Sequence, residues 1–253
     1  MPAGRWFKVR TQLQLAAARE IFGDPEQQRV ATHLLGTSLV DAAIGMFTQP
    51  WVRGALTPKE RTLILLSLDA SASQLEPSRL PQRIADARAE GATDREIVKV
   101  LQLTSLMACH SMSVGGTILY DVLVDRGEAN AGGSLSPEQV EAIRHYEEDG
   151  PEPRTMSERL RTIMMTDTTH FSNMQTYINE AYGDTDVISP RLAHLICIAF
   201  DAAPTHLFET GLRIHINAAL EHGATPSEIN EAFQLASLRG WRTMLAGVAA
   251  LQA

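Results

Sequence analysis

One stretch of sequence decides the fold class of this chain: HGATPSEINEAFQLASL, residues 222–238. Gly223 stands where a helix is expected to end in a left-handed residue. The Thr225 hydroxyl can then bind a free backbone N–H at the start of the next helix, while Glu228 reaches back to the N–H of Thr225. Apolar side chains follow at intervals of three and four residues, which is typical of an amphipathic helix. The stretch therefore predicts two consecutive helices.

The same stretch occurs a second time, 132 residues earlier, as EGATDREIVKVLQLTSL (90–106). At this offset, residues 56–119 and 188–251 share 21 identities in 64 positions without a gap. Unrelated helices of ordinary composition would match at about one position in fifteen. The identities include Asp69 and Asp201, each in a very apolar segment. We infer that the chain contains a duplicated helical unit.

Helix signals occur along the whole chain. Capping boxes are predicted at Thr57, Thr93 and Thr155, and the N-cap residues Ser136 and Ser189 are each followed by proline. The alternation of apolar and polar residues that is typical of strands is nowhere sustained. The sequence predicts an all-α fold built of two tandem helical repeats.

The predicted organisation has two halves. The N-terminal half spans residues 1–126 with its core at 56–119, and the C-terminal half spans 137–253 with its core at 188–251. They are joined by residues 127–136, GEANAGGSLS, which are rich in Gly and Ser and lack a helical period. Because each unit is expected to bury faces against its copy, the halves are expected to form one structural body.

Composition excludes several classes of protein. The chain has 253 residues, 44% of them hydrophobic, and a net charge of −8, which argues against a nucleic-acid or anionic-membrane surface. Two cysteines, Cys109 and Cys197, are too few for a disulfide scaffold. The opening residues MPAGRWFKVRTQLQL lack the apolar run of a signal peptide, and no stretch approaches ~18 uninterrupted apolar residues. We expect a cytoplasmic protein that binds neither nucleic acid nor a membrane.

The segment LRIHINAALEHGATPSEINEAFQLASLRGW (212–241) resembles the core of the carboxymuconolactone decarboxylase and alkylhydroperoxidase D superfamily. That core has a helix with a central His, then Gly-Ala-Thr or a close variant, an acidic capping residue and a second helix. Residues 80–109 are the more divergent copy, and the two cores cover about half of the chain. The resemblance implies the helical fold of the superfamily, which hosts several chemistries on that fold.

The peroxidase branch of the superfamily carries Cys-x-x-Cys with the His four residues beyond the second Cys. Anchored on His215, the two cysteine positions hold Phe208 and Gly211 in this sequence, and in the first copy they hold Glu76 and Arg79. A dithiol peroxidase needs a low-pKa thiolate and a resolving cysteine. The sequence therefore excludes a dithiol peroxidase.

The decarboxylase branch keeps the His without the cysteines, and typically has an acidic residue shortly before it. The resemblance thus implies that His215 is a general acid or base. Glu209 lies six residues before His215, which is an approximate match, and the name-giving lactone reaction is not carried over. Asp201 or Glu209 is expected to orient or tune the imidazole. For Asp201 and its equivalent Asp69, the alternative is a structural role, capping a helix or pairing with an arginine.

Substrate-binding candidates are polar or aromatic residues near these positions: Arg239, Trp241, Arg242, His194 and His110. His194 shares one helix face with Cys197 and Asp201. A guanidinium group at 239 or 242 would bind a substrate carboxylate bidentately; the alternative is surface charge beside a packed tryptophan. His110 is a candidate from the first half.

No motif predicts a metal or a cofactor. The sequence lacks HExxH, HxH and any Cys/His cluster at ligand spacing, and it has no GxGxxG, Walker or GxSxG motif. We expect no metal and no cofactor.

These observations predict a cofactor-independent lyase, decarboxylase or isomerase that acts on a small organic acid or carbonyl compound. The alternative is a non-catalytic helical assembly or small-molecule-binding protein that keeps the fold. A homo-oligomer is expected, with a trimer favoured, because single-repeat relatives in the superfamily are commonly trimers or hexamers.

Overall fold

A computed structural model describes residues 16–23, 25–73, 78–129, 134–149 and 155–251. Every regular element in these ranges is a helix, which confirms the all-α prediction for them. The opening residues 1–15 and the linker residues 130–133 lie outside the described parts of the chain.

The helices follow one another along the chain with short connections. They are α1 (16–22), α2 (Pro25–Leu35), α3 (Thr37–Phe47), α4 (Gln49–Arg53), α5 (Pro58–Ala70), α6 (Leu80–Ala89), α7 (Asp94–Ser105), α8 (Ala108–Asp125), α9 (Pro137–Glu148), α10 (Glu158–Thr166), α11 (Thr168–Tyr182), α12 (Pro190–Asp201), α13 (Glu209–Glu221) and α14 (Pro226–Ala250).

Capping boxes begin three of these helices as the sequence predicts. At the start of α5, the Glu60 N–H donates to the Thr57 hydroxyl at 3.2 Å and the Thr57 N–H donates to the Glu60 carboxylate at 2.9 Å. The same reciprocal pair begins α7 at Thr93 and α14 at Thr225. Each box satisfies two backbone N–H groups that would otherwise lack a partner inside the helix.

The capping box predicted at Thr155 is wrong. Helix α10 begins at Glu158, and its N-cap is Ser157, whose hydroxyl accepts a hydrogen bond from the Leu160 N–H at 3.3 Å. Two hydroxyl residues compete for the cap in this segment. Capping by Ser157 places Glu158 in the first turn, where its charge interacts favourably with the helix dipole.

The helices of the two cores begin at equivalent positions. Helices α5 and α12 start at Pro58 and Pro190, and α7 and α14 start at Asp94 and Pro226, so each pair differs by the 132 residues of the sequence offset. Gly91 and Gly223 precede the second helix of each copy, both with φ of 85°, a value that suits glycine. The copies differ afterwards, because a turn at 106–107 separates α7 from α8 whereas α14 continues unbroken.

The first compact unit consists of Met1–Leu101 and Ser189–Ala253. Helices α5 and α12 pack against each other at its centre, and both pack against α14. Most of their side chains are buried, including Leu66 on α5 and Ile196 on α12 at 0% exposure. Helix α6 packs on α5 and α13 packs on α12, so the core helices of both copies share one hydrophobic interior.

The second compact unit is Gln102–Ile188. Helix α10 packs against α8, α9 and α11, and α11 packs against α9. The buried core of this unit consists of Ala142, Tyr146, Ile163, Met164, Phe171 and Met174. The Thr166 hydroxyl donates to the Gly116 carbonyl at 3.1 Å and joins α10 to α8.

The two compact units divide the chain by packing, whereas the predicted halves divide it by sequence similarity. Packing places the α5–α6 and α12–α14 helices in one unit, although the duplication assigns them to different halves. The boundaries at 1–126, 127–136 and 137–253 stay a prediction about how the chain arose.

Among the described residues, one segment passes a membrane-span test by length and composition alone. It is Asp94–Asp125, which covers α7 and α8. The turn at 106–107 interrupts this segment, and α8 packs against α10. A single such segment is weak support for a membrane span.

Candidate functional site

Asp201 is the last residue of α12, and the chain folds back over it. The Phe208 N–H donates to the Asp201 carbonyl at 2.9 Å, and Leu207 has a φ of 45° at this turn. Helix α13 then packs against α12. As a result, the Asp201 carboxyl group faces two imidazoles: His215 Nε2 lies 3.9 Å from Oδ2, and His206 Nε2 lies 3.8 Å from Oδ1.

Gly211 makes this approach of α13 possible. A Cβ atom at Gly211 would overlap Asp201 Oδ2 and would lie 2.5 Å from Cδ1 of Phe208. Such separations are far inside van der Waals contact, so any side chain here would push α13 away from α12. The absence of a side chain at 211 thus sets the distance between His215 and Asp201.

The Asp201 side chain is fully buried, with 0% exposure. Burial favours the neutral form of a carboxyl group, and it raises the pKa of Asp201 to about 8. This group therefore exchanges its proton in the pH range in which an ordinary imidazole also titrates.

Two further imidazoles, those of His194 and His222, connect His215 to the protein surface. His194 Nδ1 and His215 Nδ1 are 3.1 Å apart and form a hydrogen bond, in which one ring donates its N–H to the unprotonated nitrogen of the other. The His194 ring also stacks on His222, with centroids 5.7 Å apart and planes inclined by 13°. His222 is exposed at the end of α13. Burial, and secondly the nearby charge of His222, lower the pKa of His194 to about 4, which keeps this ring neutral near pH 7.

We call Asp201, His194, His206, His215 and His222 the histidine cluster. It is assembled by two helices and the turn between them, all in the first compact unit. The cluster brings together three predicted site residues, His215, Asp201 and His194. It leads from a buried carboxyl group, through partly buried rings, to a ring in solvent.

Glu209, the third predicted catalytic residue, lies in the first turn of α13 with 85% of its side chain exposed. Its carboxylate pairs with Arg213 at 3.4 Å. Because this contact is solvated, the geometry supports a surface role for Glu209. His110 is half-buried on α8, in the second compact unit.

Arg239 and Arg242 bind the first-copy aspartate, Asp69. Arg239 Nη1 and Arg242 Nη1 lie 2.6 Å and 2.7 Å from Asp69 Oδ1. Arg83 Nε donates to the other oxygen of Asp69 at 2.7 Å, and Glu20 pairs with Arg83 at 2.8 Å and also with Arg242.

We call this group the arginine cluster. Its members are Glu20, Asp69, Arg79, Arg83, Arg239 and Arg242; Arg79 Nη2 lies 3.6 Å from Glu20. Burial alone would raise the pKa of Asp69 and of Glu20, but the neighbouring arginine charges lower both. Burial, followed by the charge of Arg242, lowers the pKa of Arg239 to about 10. Glu20, Asp69 and Arg239 are therefore ionised near pH 7.

These contacts bear on the predicted substrate-binding roles. Arg239 and Arg242 are engaged by the Asp69 carboxylate, whereas His215 faces Asp201. A role of either arginine beside His215 stays a prediction, and it would require a substrate to compete with buried ion pairs. Trp241 packs edge-on against Phe22 with ring centroids 5.9 Å apart, as a core residue does.

Residues 171–253, which include α12, α13 and α14, match the profile of the carboxymuconolactone decarboxylase family. The crystal structure of a candidate γ-carboxymuconolactone decarboxylase subunit from Burkholderia xenovorans is similar to this chain with a TM-score of 0.81 and 27% sequence identity. The similarity covers 96% of this chain and 95% of that one. The chain is thus similar to the carboxymuconolactone decarboxylase family in sequence over residues 171–253, and to that relative in fold over nearly its whole length. No protein of curated function matches it.

These similarities support a function of the kind found in the carboxymuconolactone decarboxylase family. The matched residues 171–253 contain all four histidines of the histidine cluster. The first copy carries no histidine at the equivalent positions, which hold Thr62, Gln74, Arg83 and Glu90.

The contact of His206 with Asp201 is not predicted by helical spacing, because residue 206 lies outside both helices. The chain instead turns back after α12 and brings the ring to the carboxyl group. The comparison of the two copies carried a usable signal, since His206, like the other three histidines, occurs only in the second copy.

Proposed function

We propose that this protein is a cofactor-independent lyase, decarboxylase or isomerase of the cytoplasm. It would act on a small organic acid or carbonyl compound through proton transfer at His215. The observation that carries the proposal is the placement of the His215 and His206 imidazoles 3.9 Å and 3.8 Å from the buried carboxyl group of Asp201. The match of residues 171–253 to the carboxymuconolactone decarboxylase family supports the same class of reaction.

The proposed proton donor and acceptor is His215. In a decarboxylation, the carboxylate leaves as CO₂, the electron pair of the broken C–C bond moves into an adjacent carbonyl of the substrate, and His215 supplies the proton that the resulting enolate takes up at carbon. In an isomerisation, the same ring removes a proton from one atom and returns it to another. The His215 side chain keeps 16% exposure, so a substrate can reach it.

Asp201 and His194 would set the protonation state of His215. Asp201 keeps a proton near neutral pH, because burial raises the pKa of this carboxyl group to about 8, and His215 Nε2 lies 3.9 Å from it. The neutral His194 ring would hold His215 through the Nδ1–Nδ1 hydrogen bond of 3.1 Å. After turnover, the proton would be replaced from solvent at His215, whose side chain keeps 16% exposure.

The test is turnover by a His215→Ala variant. Candidate substrates are γ-carboxymuconolactone, which the name of the Burkholderia relative supplies, and a set of small β-keto acids, with CO₂ release as the readout. We expect turnover of at least one compound by the wild-type protein and a loss of about 10²–10⁴-fold in the variant.

The matched control is His170→Ala, which removes an exposed imidazole from α11 and should leave turnover unchanged. Circular dichroism verifies that both variants fold. A folded His215→Ala protein with wild-type turnover would eliminate the catalytic role of this residue. If no compound in the set is turned over, the alternative of a binding or assembly protein is favoured.

A further inference from the structure

The first compact unit contains a cavity of about 710 Å³. Its walls come from α1, α4, α5 and α6 together with residues that flank α1 and α6. A volume of this size lies within the range of small-molecule sites. The cavity is separate from the histidine cluster, none of whose residues lines it.

The cavity lies on the first-copy counterpart of the histidine cluster. Its lining residues Thr62, Arg83 and Glu90 occupy the positions that His194, His215 and His222 hold in the second copy. The duplicated unit thus forms a concave surface at the equivalent place, but without imidazoles. This surface has a different set of charged groups, and those groups decide what it can bind.

Most charged groups that line the cavity are already engaged by the protein. The members of the arginine cluster that line it are Glu20, Arg79 and Arg83, and both arginines pair with the Glu20 carboxylate. Arg61 pairs with a glutamate of α14 at 3.2 Å. Asp86 accepts a hydrogen bond of 2.8 Å from the glutamine one turn earlier on α6. A ligand would have to compete with these contacts, so these groups do not select it.

Two charged residues that line the cavity have no such contacts. They are Arg19 on α1 and Glu90 directly after α6, and both are exposed. In the described part of the chain, neither side chain forms an ion pair or a hydrogen bond. The cavity therefore offers a ligand one positive group and one negative group.

These two groups lie towards opposite ends of α6. Arg19 adjoins Glu20, whose carboxylate binds Arg83 near the start of that helix. Glu90 follows the last residue of the helix and is about 10 Å farther along its axis than Arg83, at 1.5 Å per residue. The arrangement therefore suits a ligand that carries a negative group at one end and a positive group at the other.

The cavity also has an apolar wall. Trp51 and Leu65 both line it, and both are buried residues. The Arg61 guanidinium lies 5.4 Å from the Trp51 ring centroid, which fixes the orientation of that ring. Arg61 is itself held by a hydrogen bond of 3.1 Å to the Leu56 carbonyl. This wall is in place before a ligand arrives, which limits the entropy that binding costs.

We propose that this cavity binds a small zwitterion whose ammonium and carboxylate groups are separated by a short apolar chain, as in an ω-amino acid. The carboxylate would bind Arg19, the ammonium group would bind Glu90, and the chain would lie against Trp51 and Leu65. A compound with a single charge would leave one of the two side chains without a partner. The inference does not depend on the reaction at His215.

Calorimetry with 6-aminohexanoate tests the proposal. Hexanoate, which lacks the ammonium group, and hexylamine, which lacks the carboxylate, are the matched ligands. We expect the wild-type protein to bind 6-aminohexanoate about tenfold more tightly than either of them, with an affinity that falls as salt is added.

Two variants assign the ends of the ligand. Glu90→Gln should bind 6-aminohexanoate no more tightly than hexanoate, because the partner of the ammonium group is gone. Arg19→Gln should bind it no more tightly than hexylamine. Both residues are exposed, so both variants should fold. The controls are Arg88→Gln and Asp94→Asn, which break an exposed ion pair outside the cavity and should bind all three compounds as the wild type does.

His215→Ala should leave the binding of 6-aminohexanoate unchanged, which separates this site from the proposed reaction. The proposal is overturned if 6-aminohexanoate does not bind the wild-type protein, or if hexanoate or hexylamine binds equally well. It is also overturned if Glu90→Gln and Arg19→Gln bind as the wild type does, if the control variants weaken binding as much, or if His215→Ala abolishes it.

Discussion

Two aspartates, Asp69 and Asp201, occupy equivalent positions in the repeat, and both are fully buried. A buried carboxylate is costly unless charged or hydrogen-bonding partners compensate it. Asp69 is compensated by three arginines, which lower its pKa. Asp201 faces neutral or titratable rings, and burial raises its pKa to about 8. The same residue type is therefore an anion near pH 7 in one copy and largely protonated at that pH in the other.

Replacement of Asp201 by asparagine should change how stability depends on pH. The pKa of Asp201 is about 8 in the folded protein and about 4 in an unfolded chain. Folding thus favours the protonated form, so the stability it gives is complete below about pH 4 and is lost as the pH rises towards 8. Urea unfolding at pH 5 and pH 8 should show that Asp201→Asn gains stability relative to the wild type at the higher pH.

His206 from the turn and His215 from α13 face Asp201. The comparison between wild type and variant cancels the part of their titration that does not involve Asp201. The control is Asp41→Asn, which changes an exposed carboxylate on α3. Its free energy of unfolding should equal that of the wild type at both pH values. If the free energies of unfolding of Asp201→Asn and the wild type differ by the same amount at pH 5 and at pH 8, Asp201 is ionised throughout this range.

At the scale of helices, Gly211 determines how closely α13 approaches α12. The Gly211→Ala variant should lose stability by about 1–3 kcal/mol, because the new methyl group overlaps the Asp201 side chain and the Phe208 ring. It should also change the pH dependence of any activity, since His215 moves with the helix. Thermal unfolding and a pH–rate profile are the measurements.

Gly240 supplies the matched control, because it is exposed on α14 and no neighbouring atom lies within 4 Å of a Cβ built there. Gly240→Ala should raise stability by about 0.5–1 kcal/mol through the better helix propensity of alanine. Equal effects of the two substitutions would mean that the close approach at Gly211 does not matter.

The helix elements also show what the sequence could predict. Caps at Thr57 and Thr225 were readable because their hydrogen bonds form within four residues. The cap at Ser157 was misassigned because two candidates lie within one turn. Asp69, the partner of Arg239 and Arg242, could not be predicted from the sequence. The pairing forms because α14 of the second copy packs on α5 of the first, and an alignment of the two copies does not show which helices pack together.

For the whole molecule, we propose a homo-oligomer, with a trimer favoured. Helix α8 presents an exposed apolar row that would be covered in such an assembly: Val114, Ile118, Leu119 and Val122, each 43–58% exposed. Burial of an apolar surface of this kind contributes about 25 cal/mol per Å². Light scattering should give three times the chain mass of 27.7 kDa.

The Ile118→Glu variant should lower that mass, because a charge would enter the covered row. Val140→Glu places the same charge on an exposed apolar position of α9, which is 54% exposed, and should leave the mass unchanged. A wild-type mass of 27.7 kDa would eliminate self-association, and a dimer would eliminate the trimer alone.

The pairing of Arg239 and Arg242 with Asp69 affects whether one half of the chain can be lost without the other, as well as how stable the protein is. Once the second copy's last helix had closed over the first copy's carboxylate, neither copy could be deleted without leaving buried charges behind, at a cost of about 3–5 kcal/mol. A shortened chain of residues 137–253 would lack Asp69 and Glu20, the carboxylates that Arg239 and Arg242 pair with, so we expect the two halves to be retained together.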